Sequence, residues 1–262
     1  MSAFTGKTIL ITGAAGGIGR EMARHFGGLG GRIAALDKNP AVTDFAAELN
    51  QAGITAAAAV ADIAVSAAVE EAFAELRGQI GPIDVLINNA GFSEASTLEA
   101  TTPAIWQAAL DGNLNGAFYC SRLAVEDMKA AGGGAIVTIS SINGLGAYGD
   151  PAYSAAKAGL ISHTKALAME YGRFGIRANI ICPGTVRTPI WAERVERDPE
   201  ILSKLVKWYP LRRVVEPIDV AKAAAFLASD EAAAITGVVL PVDCGLSAGN
   251  IVMSRELTLE EF

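Results

Sequence analysis

Short, uninterrupted apolar runs alternate along the chain with longer segments whose apolar positions recur at helical spacing. The runs at 8–11, 32–36, 56–60, 85–88, 135–140, 176–182 and 238–242 are apolar on both faces, as parallel strands covered from above and below should be. Segments 17–29, 40–51, 66–77, 103–129, 152–171 and 218–227 are predicted helices. This alternation needs right-handed crossovers and predicts an α/β architecture, a doubly wound, parallel, seven-stranded sheet with helices on both faces. The rhythm breaks once, at residues 184–217, which carry many charges together with Trp191, Trp208 and Tyr209. An insertion after the C-terminal end of a strand sits where open α/β sheets bind ligands, so a substrate lid is expected there.

Composition narrows the function classes. With 51% apolar and 19% charged residues, the 262-residue chain has the material for a large core. A formal charge of −7 opposes nucleic acid as a partner, because neutralising phosphates needs a basic face. Cys120, Cys182 and Cys244 lie far apart in or beside apolar runs, without a CxxC or Cys/His cluster, so reduced, buried thiols and no metal are expected. No run approaches the roughly 18 apolar residues of a membrane span, and no leader precedes the first strand; a cytoplasmic protein is expected.

Candidate chemistry begins where the first strand runs into Thr12-Gly13-Ala14-Ala15-Gly16-Gly17-Ile18-Gly19 and a helix follows. Glycines there allow a tight turn and let main chain approach a pyrophosphate seated on the helix N-terminus. Asp37 ends the second strand about twenty residues on, where a carboxylate accepts from both adenosine ribose hydroxyls and repels a 2′-phosphate. NAD is therefore favoured over NADP, with Lys38 the opposing neighbour. Further along, Tyr153 and Lys157 stand four apart on one helix face. A phenol ionises near pH 10 and is a poor acid or base at neutrality, and a nearby ammonium is expected to lower that value. Ser140 and Ser141 end a strand upstream and offer a hydroxyl to the same substrate oxygen.

With these features the sequence resembles the short-chain dehydrogenase/reductases over nearly its whole length. The motifs stand in family order: Thr12-Gly13 to Gly17 and Gly19, Asp62, Asn88-Asn89-Ala90-Gly91, Asn113, the serine pair, Tyr153 with Lys157, then Pro183-Gly184 and Thr188. The resemblance implies a single-domain Rossmann fold over 1–262 and a homotetramer built through helices 103–129 and 152–171 and the last strand. It also implies a reaction that interconverts a secondary alcohol and its ketone with a nicotinamide. Tyr153 would be the acid/base, Lys157 would hold the nicotinamide ribose, and Asn113 would keep a water in a proton relay. Gly13, Gly16, Gly17, Ile18, Gly19, Asp62, Ile63, Asn89, Gly91, Pro183, Gly184, Val186 and Thr188 would line the cofactor groove. Counting thirteen residues back from the tyrosine selects Ser140, whereas strand register selects Ser141, with one residue missing from the following loop. Strands resist register slips that loops absorb, so Ser141 is expected to orient the substrate.

The substrate wall would draw on Glu94, Asn143, Tyr148 and Trp191. Glu94 suggests a polyol, sugar or cyclic alcohol. Cys244 stands where relatives commonly carry glycine, with an expected effect on packing alone. Two other readings stay open: an NADPH-dependent carbonyl or 3-oxoacyl reductase, and a non-catalytic NAD-binding regulator.

Overall fold

The computed structural model describes residues 3–261. Seven parallel strands form one sheet: β1 (Thr8–Thr12), β2 (Arg32–Asp37), β3 (Ala56–Val60), β4 (Val85–Asn88), β5 (Gly134–Ile139), β6 (Ile176–Pro183) and β7 (Val239–Val242). Their order is β3-β2-β1-β4-β5-β6-β7. The pleat sends Ile9 and Ile11 into one apolar cluster and Leu10 into the other, all three fully buried. That is why β1 reads as apolar at every position. On the first face α1 (Gly17–Gly28) and α2 (Ala41–Gln51) supply Met22, Phe26 and Phe45, joined by a later helix, Pro217–Ala228. The second face takes Phe73 and Leu76 from α3 (Ser66–Ile80).

The predicted helix 103–129 is not continuous. It divides into α4 (Pro103–Leu110), a five-residue π turn (Asp111–Asn115) and α5 (Gly116–Ala131). The cause is local: Asn113 Nδ2 donates to Ala109 O at 2.9 Å, taking the carbonyl that its own N–H would use in an α-helix. Gly116 N then reaches back to Asp111 O, and the widened turn carries Asn113 inward.

Next come α6 (Pro151–Tyr171), α7 (Ala192–Arg197), α8 (Ile201–Leu205), α9 (Pro217–Ala228) and α10 (Ile251–Thr258). Pro151 starts α6 after Asp150, whose φ of 49° is left-handed. A Glu216/Asp219 capping box starts α9. Arg177 donates to the carbonyls of Leu227, Ala228, Ser229 and Ile235, locking β6 to the end of α9. The charged insertion folds as the short helices α7 and α8. Its base is held by a parallel bridge between Val186 and Val215 and by Tyr209, which is 2% exposed and accepts from Thr185 N at 3.1 Å. Tyr209 is thus a core anchor, unlike Trp208 on the insertion's surface. Cys244 adopts a φ of 54°, so glycine's usual place here is explained by backbone as well as by packing.

Candidate active site

From β1 the chain passes to β2 on one side, and from β3 it crosses back to β4 on the other. The crevice at this reversal is where a doubly wound sheet binds its ligand. Main chains crowd there. Gly13 has a φ of 67°, and a Cβ on it would lie 2.8 Å from Ala90 Cα. A Cβ on Gly19 would stand 2.1 Å from Gly13 O, and one on Gly17 would meet Thr188 and Pro189 at about 3 Å. Gly16 caps α1 with no side-chain bond, and the first turn holds no acidic residue, which leaves its amides and positive helix end to an anion. Ile18 follows in that first turn. These contacts leave no room for side chains at the turn, and the free amides of the α1 N-terminus suit a dinucleotide pyrophosphate.

Polar side chains pin the cradle. Thr12 Oγ1 accepts from Asn89 N and Ala90 N, each at 3.0 Å. Asn89 Nδ2 donates to Thr12 O at 3.0 Å and Gly13 O at 3.2 Å. Asp37 accepts from Ala15 N and Asn39 N, both at 2.9 Å, so its carboxylate is held against the glycine turn. Asp62 accepts from Ala64 N, while the Ile63 side chain packs inward where a Gly116 Cβ would stand. Pro183 ends β6, Gly184 is squeezed beside Asp243 and Tyr209, and Val186 and Thr188 lead into the insertion.

At the other end of the groove the material is side chain. A Cβ on Gly91 would meet Asn113 Oδ1 at 2.6 Å and Lys157 Nζ at 2.9 Å, so these three meet at one point. Lys157 is 3% exposed and donates to Ile139 O at 3.0 Å. Burial holds its ammonium down at about 8. Its Nζ stands 5.4 Å from the Tyr153 ring centroid. The expected depression of Tyr153 is reversed in this structure. Burial pushes the phenol up to about 12, hydrogen bonding by Ser141 offsets part of that, and the charges of Asp150 and Cys182 add to it. The two serines separate cleanly. Ser140 is 4% exposed and spends its hydroxyl on Lys157 O at 2.8 Å, whereas Ser141 lies beside Tyr153.

The suggested substrate-wall residues come from three segments: the loop after β4, the loop between β5 and α6, and the insertion. Asn143 bonds to Ser141 and Gly149 in its own loop and to Ser154 in the first turn of α6. Tyr148 is exposed over Gly146, and Glu94 is exposed on the loop after β4. Trp191 stacks under Arg194 at 4.9 Å and lines a cavity of about 480 Å³ inside the insertion, with Val195, Leu202 and Val206. Asp150 and Ser154 went unnoticed in the sequence. One precedes a proline as an ordinary helix start would, and the other lies inside the Tyr–Lys motif.

A family model described as enoyl-(acyl carrier protein) reductase matches residues 13–247. An oxidoreductase of the short-chain dehydrogenase/reductase family from Burkholderia thailandensis has a solved structure similar to this chain, with a TM-score of 0.91 and 50% identity over 98% of each chain. The chain belongs to the short-chain dehydrogenase/reductase family. An oxidoreductase of Schizosaccharomyces pombe is 41% identical over 257 residues, 97% of this chain and 96% of its own. A gluconate 5-dehydrogenase from Burkholderia cenocepacia, solved with NADP and tartrate, is 32% identical, with a TM-score of 0.88 over 94% of this chain and 97% of that one. Short-chain dehydrogenase/reductases bind a nicotinamide cofactor, and this chain is an oxidoreductase of that family. Among the described residues, no helix is long and apolar enough to cross a membrane.

Proposed function

We propose that the chain is an NAD(H)-dependent dehydrogenase that interconverts a secondary alcohol and its ketone. The observation that carries this reading is the meeting of Tyr153, Ser141, Lys157 and Asn113 at the end of the glycine-built groove. A bound nicotinamide supplies the hydride donor or acceptor; the protein's own residues handle the proton. In reduction, Tyr153, held neutral by burial, gives its proton to the carbonyl oxygen while the Ser141 hydroxyl orients that oxygen. In oxidation the phenolate takes the alcohol's proton, and Lys157 beside it supplies the positive charge that the buried phenolate needs. Asn113, next to Lys157, is assigned the position from which a water would reconnect this proton to solvent.

Asp37 supports NAD, because its carboxylate is fixed at the turn where a 2′-phosphate would sit. The NADP in the gluconate 5-dehydrogenase favours the second reading, an NADPH-dependent carbonyl reductase. That neighbour also supports a polyhydroxylated substrate, with residues 184–217 as the lid over it. The complete catalytic set argues against a non-catalytic regulator. In the same reading the enzyme is a cytoplasmic homotetramer joined through α5 and α6, where Phe118 is exposed.

The test is NADH formation from polyols, sugars and cyclic alcohols, repeated with NADP and with Tyr153→Phe. NAD-linked oxidation that falls at least about a thousandfold in the variant, with NAD affinity kept, is expected. A tyrosine variant as active as the parent overturns the assignment, and faster turnover with NADP overturns the reading of Asp37.

A further inference from the structure

A hydrogen-bonded chain runs through the loop between β5 and α6 and ends on the Ser141 hydroxyl, and its other members take no part in the proton steps above. The Asn143 main-chain N–H donates to Ser141 Oγ at 3.2 Å, and the Ser141 hydroxyl donates to Asn143 Oδ1 at 3.3 Å. At the other end of the amide, Nδ2 donates to Gly149 O at 3.1 Å and to Ser154 Oγ at 3.0 Å. Ser154 Oγ donates in turn to Gly149 O at 2.7 Å. The direction of this chain is forced. A main-chain carbonyl only accepts, so the amide nitrogen must face Gly149, which leaves Oδ1 facing Ser141. Ser154 has given its proton to Gly149 and meets Nδ2 with a lone pair. The chain therefore runs one way and ends on the hydroxyl beside Tyr153.

We propose that Asn143 is a positioning residue that sets the Ser141 hydroxyl, itself held by Gly149 and Ser154; this rests on the alcohol–ketone reading above. The main-chain N–H fixes where Oγ stands. The longer bond to Oδ1 holds the serine proton weakly, so that it turns to a substrate oxygen at little cost. Both Nδ2 protons are spent inside the protein, which removes Asn143 from the donors available to a substrate. One side chain thus ties Ser141 to both the Gly149 turn and the first turn of α6, closing the loop between them.

Asn143→Ala keeps the main-chain N–H and deletes both ends of the amide. Its kcat should fall about tenfold with KM within about twofold, the scale of one lost hydrogen bond. Asn143→Asp sets a carboxylate beside Ser141 and should move the rising, acid-side limb of the oxidation profile to higher pH, since added negative charge opposes a phenolate. The groups facing Tyr153 are Asp150 and Lys157 along α6, Cys182 from β6 and Ser141 after β5. Ser154→Ala should cost about threefold alone and nothing further on top of Asn143→Ala, because both act through one chain.

Hydrogen exchange of residues 144–150, read without turnover, should speed up in Asn143→Ala. Should that variant misfold, Ser154→Ala carries the same test with a smaller acceleration. Unchanged exchange overturns the brace. A KM rise alone returns Asn143 to the substrate wall and overturns the positioning role. Faster exchange in a protein whose parent oxidises no alcohol supports the brace and overturns the proposed function instead.

Discussion

The two ends of the groove are built from different material. At the β1–β4 end the contacts are main chain against main chain, with Gly13 on Ala90 and Gly19 on Gly13 O. Thr12, Asp37 and Asn89 serve there as pins on backbone N–H and C=O groups. At the β5–α6 end the working parts are side-chain tips: a buried ammonium, a desolvated phenol and a hydroxyl on a short loop. Binding a shape shared by all dinucleotides needs close backbone approach. Moving a proton needs groups whose ionisation is held away from its ordinary value, and burying them costs stability. The first end should therefore fail by sterics and the second by electrostatics.

Gly19→Ala puts the sharpest strain on the first half of that contrast. Its Cβ would fall 2.1 Å from Gly13 O, a main-chain atom that cannot rotate aside. NAD affinity measured by calorimetry should drop at least about a hundredfold, and stability should fall by about 2 kcal/mol or more. Binding at parental strength would show that the cradle tolerates a methyl group and that backbone approach is not its principle.

Lys157→Met should do the opposite. The buried ammonium titrates at about 8 in the fold against 10.5 unfolded, so burial of the charge opposes folding. The sign follows from proton counts. Between about pH 8 and 10.5 the unfolded chain holds more protons, so stability rises with pH there, and the full penalty stands below pH 8. Removing the charge should stabilise the protein by on the order of 2 kcal/mol at neutral pH, reduced by the Ile139 carbonyl left without its donor. Alcohol oxidation should be lost at the same time. A melting temperature that falls in the variant would mean that the lysine is a structural strut.

Legibility divides along the same line. Glycines crowded by neighbouring backbone leave a mark in the sequence, because no other residue fits, and the strand and helix periods carried the sheet to within a residue or two. The π turn escaped, since Asn113 within a helical period looks like any polar position until its side chain takes Ala109 O. Tyr209 read as a lid aromatic because burial depends on which elements meet, and the bonds that Asn143 makes were not visible because its partners lie six and eleven residues on. The pH behaviour of Tyr153 was misjudged for a physical reason: residue spacing records the nearby ammonium and says nothing of the desolvation that outweighs it.

The smallest expected effect concerns Asp150, and it tests the electrostatic half at its finest. This residue sits in the left-handed region at the start of α6, and its charge adds to the upward shift of the Tyr153 phenol. Asp150→Asn removes the charge and keeps a side chain that tolerates positive φ, so the backbone corner should survive. With the repulsion gone, the phenolate becomes easier to form, and the pH profile of kcat/KM for oxidation should move toward acid by about half a unit. Thermal stability and NAD affinity should hardly change, because neither the cradle nor the core uses this carboxylate. An unmoved profile would mean that solvent screens Asp150 from the phenol. A shift toward alkali would mean that the carboxylate aids proton removal, and proton transfer would then have to be redrawn around Asp150 and Tyr153 together.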